Sequence, residues 1–317
     1  MSEESGEGRA PGLRLVKSLD TALAAAPLAA QGVVIRHVRT HEEFVACVQL
    51  QRATWGANFN ELIPVSMLMI TQRLGGVTAG AFTSDGALQG FVFGITGVEH
   101  GHIVHWSDML AVRNDVQGHG VGRRLKEFQR DAVRARGATR MYWTFDPLVA
   151  RNAHFNVNRL GARVFEYVPD MYGHNTGSRL HGGFGTDRFI VTWPITPDGD
   201  AATSAGEPSA RSTPSTATIP LLNAMFDRSL GTSSGEPDGD VPNFAASLPP
   251  LLRVEIPSDI LEVSAATPSL AKRWRSTTRS AFQWALANGY SVERFERGAA
   301  GVGSYVLSRA AEQPGAE

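Results

Sequence analysis

The sequence predicts an α+β fold, with a central mixed, mostly antiparallel sheet flanked by helices and a small α/β lobe at the C-terminal end. Three observations carry that expectation. Two apolar runs, Val77 to Thr83 and Leu88 to Gly97, are joined by Ser84-Asp85-Gly86, and an Asp-Gly pair between such runs favours a tight antiparallel hairpin. A glycine-rich turn, Gln117-Gly118-His119-Gly120-Val121-Gly122, stands between an apolar strand and an amphipathic helix. Finally, a stretch rich in Pro, Gly, Ser, Thr and Asp from Thr196 to about Pro242 separates a second, shorter series of elements from the first.

Taken in order, residues 1–30 are acidic, glycine-rich or alanine-rich and broken by Pro27, and are expected to be a disordered tail. Val33 to Arg39 reads as a strand. Thr40 caps a helix running through Phe44, Val48 and Leu50 toward Trp55, and Pro64 opens a second to about Arg73. The hairpin strands follow, then a strand at His102 to Val112 and the glycine turn. The next helix carries Val121, Leu125, Phe128 and Ala132 at helical spacing and stops at Gly137. A strand at Arg140 to Phe145, a helix from Val149 to Leu160, and strands at Ala162 to Val168 and Arg188 to Trp193 complete a body spanning 31–195. A flexible insertion over 196–245 contains an apolar island, Ile219 to Phe226, suited to docking on the body. Residues 246–317 then read as strand (Leu251 to Ile256), helix from Pro268 to Asn288-Gly289, and two strands (Tyr290 to Phe295, Ser304 to Leu307). This order repeats the second half of the body.

With 317 residues, of which 42% are hydrophobic, the chain can bury a real core. Its formal net charge of −1 offers no general field for nucleic acid or a membrane surface. Met1 to Gly12 lacks the apolar core of a secretory signal, and no run of about 18 apolar residues occurs, so a cytoplasmic protein is expected. Cys47, the single cysteine, lies in the apolar segment Phe44-Val45-Ala46-Cys47-Val48 and reads as a structural thiol in a reducing compartment.

The glycine turn carries the chemistry. A strand, a glycine-rich turn and a helix N-terminus together aim backbone N–H groups at an anion, most often a phosphate. The dinucleotide fingerprint fails because Arg123 stands where a third glycine is required, and no Gly-Lys-Ser/Thr ending makes a Walker loop. Arg123 and Arg124 fall in the first helical turn, where the helix dipole disfavours cations unless an anion is bound nearby. The spacing Gln-x-x-Gly-x-Gly resembles the acyl-CoA diphosphate loop of the GNAT superfamily of N-acyltransferases, and the element order over residues 33–195 resembles the GNAT topology. Phe91-Val92-Phe93-Gly94, Thr144-Phe145-Asp146-Pro147-Leu148, Asn152-Ala153-His154 and Leu160-Gly161-Ala162 resemble a bacterial branch of it.

The resemblance implies an acyl-CoA co-substrate, acetyl-CoA or succinyl-CoA, and a primary amine acceptor such as an amino acid, with no metal and with a homodimer left open. It implies that Gln117, Gly118, His119, Gly120, Val121, Gly122 and Arg123 hold the diphosphate. Pantetheine would lie in a gap between the fourth and fifth strands against Leu110, Ala111 and Val112, where an N–H near Leu110 polarises the thioester. Trp106 occupies the position of a family glutamate base and joins the acceptor site. Strand alternation puts Trp106, Asp108 and Leu110 on one face and His105, Ser107 and Met109 on the other, so Asp108 becomes the candidate base. Pairing with an arginine or binding the substrate ammonium are its other readings. Val157 stands where many relatives have a tyrosine acid, leaving His154, Tyr172 or His174 as candidates beside structural roles for each. Asn152 matches a family asparagine that binds cofactor or water. Asp146, for an ammonium, and Arg151, for a carboxylate, suit an α-amino acid, though Asp146 also fits a helix cap.

Two other readings compete. A binding protein that senses CoA or substrate without turnover fits the displaced glutamate and missing tyrosine. A metal-dependent enzyme would use His100, His102, His105 and Asp108, which crowd one segment.

Overall fold

The computed structural model describes residues 32–173, 176–178, 180, 183–195, 216–224, 244, 247–298 and 301–309. The expected tail at 1–30, most of the insertion at 196–245, and His174 lie outside them. Strand β1 (Val34–His37) is followed by helices α1 (His41–Trp55) and α2 (Val65–Arg73). The Thr40 hydroxyl accepts the Glu43 amide at 3.3 Å and so caps α1, while Arg36 clasps the Glu43 carboxylate through both guanidinium nitrogens. Strands β2 (Val77–Phe82), β3 (Leu88–Glu99) and β4 (His102–Val112) form a meander. Its first turn places Gly86 at φ 87°, and its second uses His100 and Gly101, both at positive φ.

Helix α3 (Val121–Arg134) leads to β5 (Arg140–Phe145), and α4 (Ala150–Ala153) runs on as a π-helical stretch over His154–Arg159. Strands β6 (Arg163–Val168) and β7 (Arg188–Pro194) end the body. The seven strands lie in the order β1-β2-β3-β4-β5-β7-β6, and every pair is antiparallel except β4 with β5. One face of β2–β4 is covered by α1 and α2, which bury Phe44, Cys47 and Leu68 against Phe91, Phe93 and Met109. The opposite face is covered by α3 through Val121, Leu125 and Val133. Cys47 is fully buried and its thiol is pushed up to about 12, so it is an unreactive core residue.

The second sheet, in the order β8-β10-β9, comprises β8 (Leu251–Pro257), β9 (Tyr290–Arg297) and β10 (Val302–Arg309). Between β8 and β9 come α5 (Ile260–Ala266), capped by Asp259, and α6 (Pro268–Ala287). Short α5 is absent from the sequence expectation because its seven residues carry too little periodicity to be read. The described part of the apolar island docks on the free edge of β8. Leu222 donates to the Arg253 carbonyl at 2.8 Å and Arg253 to that of Pro220 at 2.9 Å. This lobe shares one hydrophobic core with the body, since Phe282 of α6 meets Phe189 of β7 edge-on at 4.7 Å and Tyr305 of β10 at 5.2 Å.

Candidate active site

Strands β4 and β5 pair at only three positions, Val104 with Arg140, His105 with Met141 and Trp106 with Tyr142. They then part. The cause lies in β4, where Met109 pairs with Phe93 and Ser107 with Gly94, so that Asp108 is an extra residue with no partner on β3. Such a bulge bends its strand and reverses the side-chain alternation beyond it. Ser107 therefore faces α3 while Met109 packs under α1 and α2, which corrects the expectation that the two share a face. From Ser107 to Val112, β4 keeps a strand neighbour only on its β3 side among the described strands, leaving alternate peptide groups of Leu110, Ala111 and Val112 facing the gap.

The glycine turn stands at the open end of this gap. After a 3₁₀ turn at Asn114–Val116, the Gln117 amide folds back to donate to the Val112 carbonyl at 2.9 Å and to Asn114 Oδ1 at 3.0 Å, bracing the turn. Gly118 and Gly120 take φ of 83° and 82°, a region costly to residues with a Cβ, although nothing lies within 4 Å of where a Cβ would point. Backbone conformation rather than crowding demands glycine here, and the space beyond is open. Gly120 caps α3 with no side-chain hydrogen bond, so the N–H groups of Val121, Gly122 and Arg123, which have no intrahelical acceptor, point outward. Arg123 itself pairs with Glu127 at 2.7 Å, Arg124 donates to the Val33 carbonyl at 2.8 Å, and the His119 ring lies 3.0 Å from the Gln117 carbonyl. Neither arginine owes its place to a bound anion alone.

Asp108, the bulged residue of β4, is open to solvent yet ringed by protein. That surrounding mass raises its carboxyl above the ordinary range, with Glu61 pushing the same way and Lys126 opposing. Tyr172 shares this field. Its hydroxyl is 3.0 Å from Thr144 Oγ1, the Arg188 guanidinium lies 5.1 Å from its ring centre, and burial raises the phenol so that it stays protonated near neutrality. The α1–α2 loop that carries Glu61 is clasped to the β6–β7 loop by the Asn60 amide, which donates to Thr176 at 2.9 Å. Trp106 lies tilted beside Tyr142, with ring centres 6.3 Å apart.

Other sequence candidates are placed elsewhere. Asp146 is buried, accepting the Leu148 amide at 2.8 Å on one oxygen and Arg275 at 2.6 Å on the other, with Arg188 at 3.5 Å. Its partners are therefore a local turn and two arginines rather than a ligand's ammonium. His154 is set among Arg297 and Arg159, which with burial lower its pKa, on the side of the C-terminal lobe. Val157 is packed in the core, Asn152 lies within α4 with its carbonyl accepting from Asn156, and Arg151 is exposed on the same turn. Of the histidine cluster, His100 sits in a hairpin turn and His102 is exposed, whereas His105 is buried with Nδ1 3.0 Å from the Thr96 hydroxyl. Among the described residues no three His, Cys, Asp or Glu side chains are grouped to hold a metal.

Glu61, Thr144, Arg188, Ser107 and Lys126 were not singled out by sequence. Only Lys126 left a signal, as a cation one step from Leu125 on the buried stripe of α3.

Element order and strand order meet the expectation of a mixed, mostly antiparallel sheet flanked by helices, and β4 parts from β5 beside a glycine-capped helix. No protein-family model matches the chain, and no curated protein does. Among solved structures, the ribosomal-protein-S18-alanine N-acetyltransferase from Escherichia coli is similar at 20% identity and a TM-score of 0.40, over 53% of this chain and 97% of that one. Aminoglycoside 6′-acetyltransferase type Ii is similar at 16% and 0.41, over 52% and 98%, and Ard1 from Thermoplasma volcanium at 11% and 0.40, over 52% and 99%. Likeness at this level does not extend to activity, substrate or partner.

Proposed function

We propose that this chain is an acyl-CoA N-acyltransferase that moves an acyl group from coenzyme A to the primary amine of a small molecule. The observation that carries this reading is the junction of two features. A gap lined by free β4 peptide groups opens onto a helix N-terminus whose first N–H groups lack acceptors. A long ligand with a diphosphate at one end and an amide-bearing arm fits both at once, because the N–H groups and helix dipole hold the anion while the arm pairs with the strand.

The chemistry then needs few groups. The amine attacks the thioester carbonyl, and a β4 N–H near Leu110 stabilises the oxyanion. As the C–N bond forms and the C–S bond breaks, Asp108 takes the amine proton, directly or through water, and the Tyr172 hydroxyl protonates the departing thiolate. With Asp146 engaged by arginines, Asp108 and Glu61 are the carboxylates that attract an ammonium to the mouth of the gap.

Titration calorimetry with CoA, followed by thiol release from acetyl-CoA over a panel of amines, tests this. Heat and turnover are expected. Binding without turnover on any amine would favour a sensor, and no heat at millimolar CoA would overturn the reading altogether. Gly120→Glu should lower CoA affinity at least about 100-fold by placing a strained side chain and a negative charge against the diphosphate. Unchanged affinity would remove the turn from the site.

A further inference from the structure

Lys126 is a lysine without a use in the chemistry above, and its surroundings are unusual. It lies on the inner face of α3 and is only 3% exposed. Its ammonium nitrogen is 2.7 Å from Ser107 Oγ and 4.1 Å from the centre of the Trp143 ring. Those two contacts fix its position in the fold. The last paired residues of β4 and β5 are Trp106 and Tyr142, and Ser107 and Trp143 are the next residue on each strand. Lys126 therefore reaches to the point where the two strands begin to part, at the blind end of the gap.

The polar character continues beneath it. His105, two residues before Ser107 on β4, and Gln129, one α3 turn from Lys126, are both fully buried, and His105 Nε2 and both polar atoms of the Gln129 amide lack hydrogen-bond partners. Gly94 on β3 makes room for this pair, since a Cβ there would collide with both side chains. An apolar core would fill this space with aliphatic side chains at lower cost, because buried polar groups are expensive unless satisfied. Among the described residues no carboxylate pairs with Lys126, and the charge that acts on it is that of Asp108.

Resting on the reading of the gap as the channel for an acyl-CoA, we propose that Lys126 and Ser107 form a polar stop at its blind end, which selects the acyl group by length and rejects apolar chains. An acetyl group ends short of the stop. A longer alkyl chain would have to press its methylenes against the Lys126 nitrogen and Ser107 hydroxyl, removing what solvation they have and giving no hydrogen bond in return. Burial already drives the lysine toward its neutral form, so the barrier is one of polarity and shape rather than of net charge.

The test is kcat/KM for acetyl-, butyryl- and hexanoyl-CoA with one amine acceptor, measured on the full chain and on Lys126→Met and Ser107→Ala. The parent is expected to lose about 100-fold from acetyl to hexanoyl, and each variant to narrow that ratio to about tenfold or less. Thermal stabilisation by CoA shows whether each variant is folded, and Ser107→Ala, the smaller change, serves if Lys126→Met does not fold. A parent that accepts hexanoyl as readily as acetyl, or folded variants that keep the parent ratio, would overturn the polar stop and leave the acyltransferase reading standing. A chain that binds no CoA would overturn both.

Discussion

Asp108 owes its candidacy to a single inserted residue. As the bulge of β4 it has no partner on β3, while the residues on either side stay in the sheet. Because its pKa is raised, the ionised base forms only above the ordinary carboxylate range, so kcat/KM should climb with pH along a limb displaced above 3.8. Asp108→Asn should remove that limb and lower kcat/KM by about 10²- to 10⁴-fold, and a pH–rate profile that survives the change would exclude Asp108 as base. His105 gives a stability counterpart with a definite sign. Burial holds its imidazole neutral, lowering its pKa from 6.5 to about 3, with Lys126 and Arg136 adding to the effect. The folded state thus binds fewer protons than the unfolded chain between those values. Stability from this group is full above pH 6.5 and is lost as pH falls to about 3, by on the order of 4–5 kcal/mol. His105→Asn, which keeps a polar group beside Thr96, should flatten that slope in denaturant titrations at stepped pH. Sequence put the aspartate and the histidine on opposite faces of an apolar strand, but did not show the bulge that separates Ser107 from Met109. Alternation cannot foresee a bulge, and once one is present every residue beyond it changes sides.

At the scale of elements the sequence was more legible. The β4 bounds, the Thr40 and Pro64 caps and the hairpin at Gly86 follow from local chemistry that tertiary packing has no reason to override. The glycine turn belongs with them, because φ near +80° at two positions is a demand that only a few residue types meet. The helix after β5 was legible in extent but not in form. Its second half widens into π-helical geometry, which lets Asn156 reach across to the Trp143 indole at 2.7 Å, and nothing in residue periodicity distinguishes that winding. The same stretch carries Asn158 toward the C-terminal lobe, where its amide both donates to and accepts from the backbone of Phe295, at 2.6 and 3.0 Å. Asn158→Ala leaves both main-chain groups of Phe295 without these partners and should cost about 2 kcal/mol, seen as a lower urea midpoint at unchanged slope. A change below about 0.5 kcal/mol would mean that water replaces the amide.

For the whole molecule, what the sequence could not give was the junction between body and lobe, since its partners are more than 90 positions apart. Arg275 of α6 is buried, donates to Asp146 Oδ2 at 2.6 Å and to the Phe184 carbonyl at 3.2 Å, and so ties the lobe to the end of β5. Arg279, one turn on, binds Asp170 at 2.8 Å and also Asp187, at the two ends of the loop that carries Tyr172. Tyr305 donates to the Pro147 carbonyl at 2.8 Å between them. Together with the aromatic cluster around Phe189 and Phe282, these ion pairs and hydrogen bonds join the two sheets, so unfolding should be a single cooperative transition by calorimetry. Breaking the Arg275 pair exposes the arithmetic of buried charge. Arg275→Met would leave Asp146 facing Arg188 alone and should cost about 3–5 kcal/mol. The double change Arg275→Met with Asp146→Asn should recover much of that loss, because it removes the stranded charge along with its partner. Arg188, then the arginine left facing Asp146, also sits on the Tyr172 ring, so the single variant should disturb turnover as well as stability. A junction that merely fills space would show additive losses in this double-mutant cycle and an unaltered kcat, whereas two separated melting transitions would show that lobe and body fold independently.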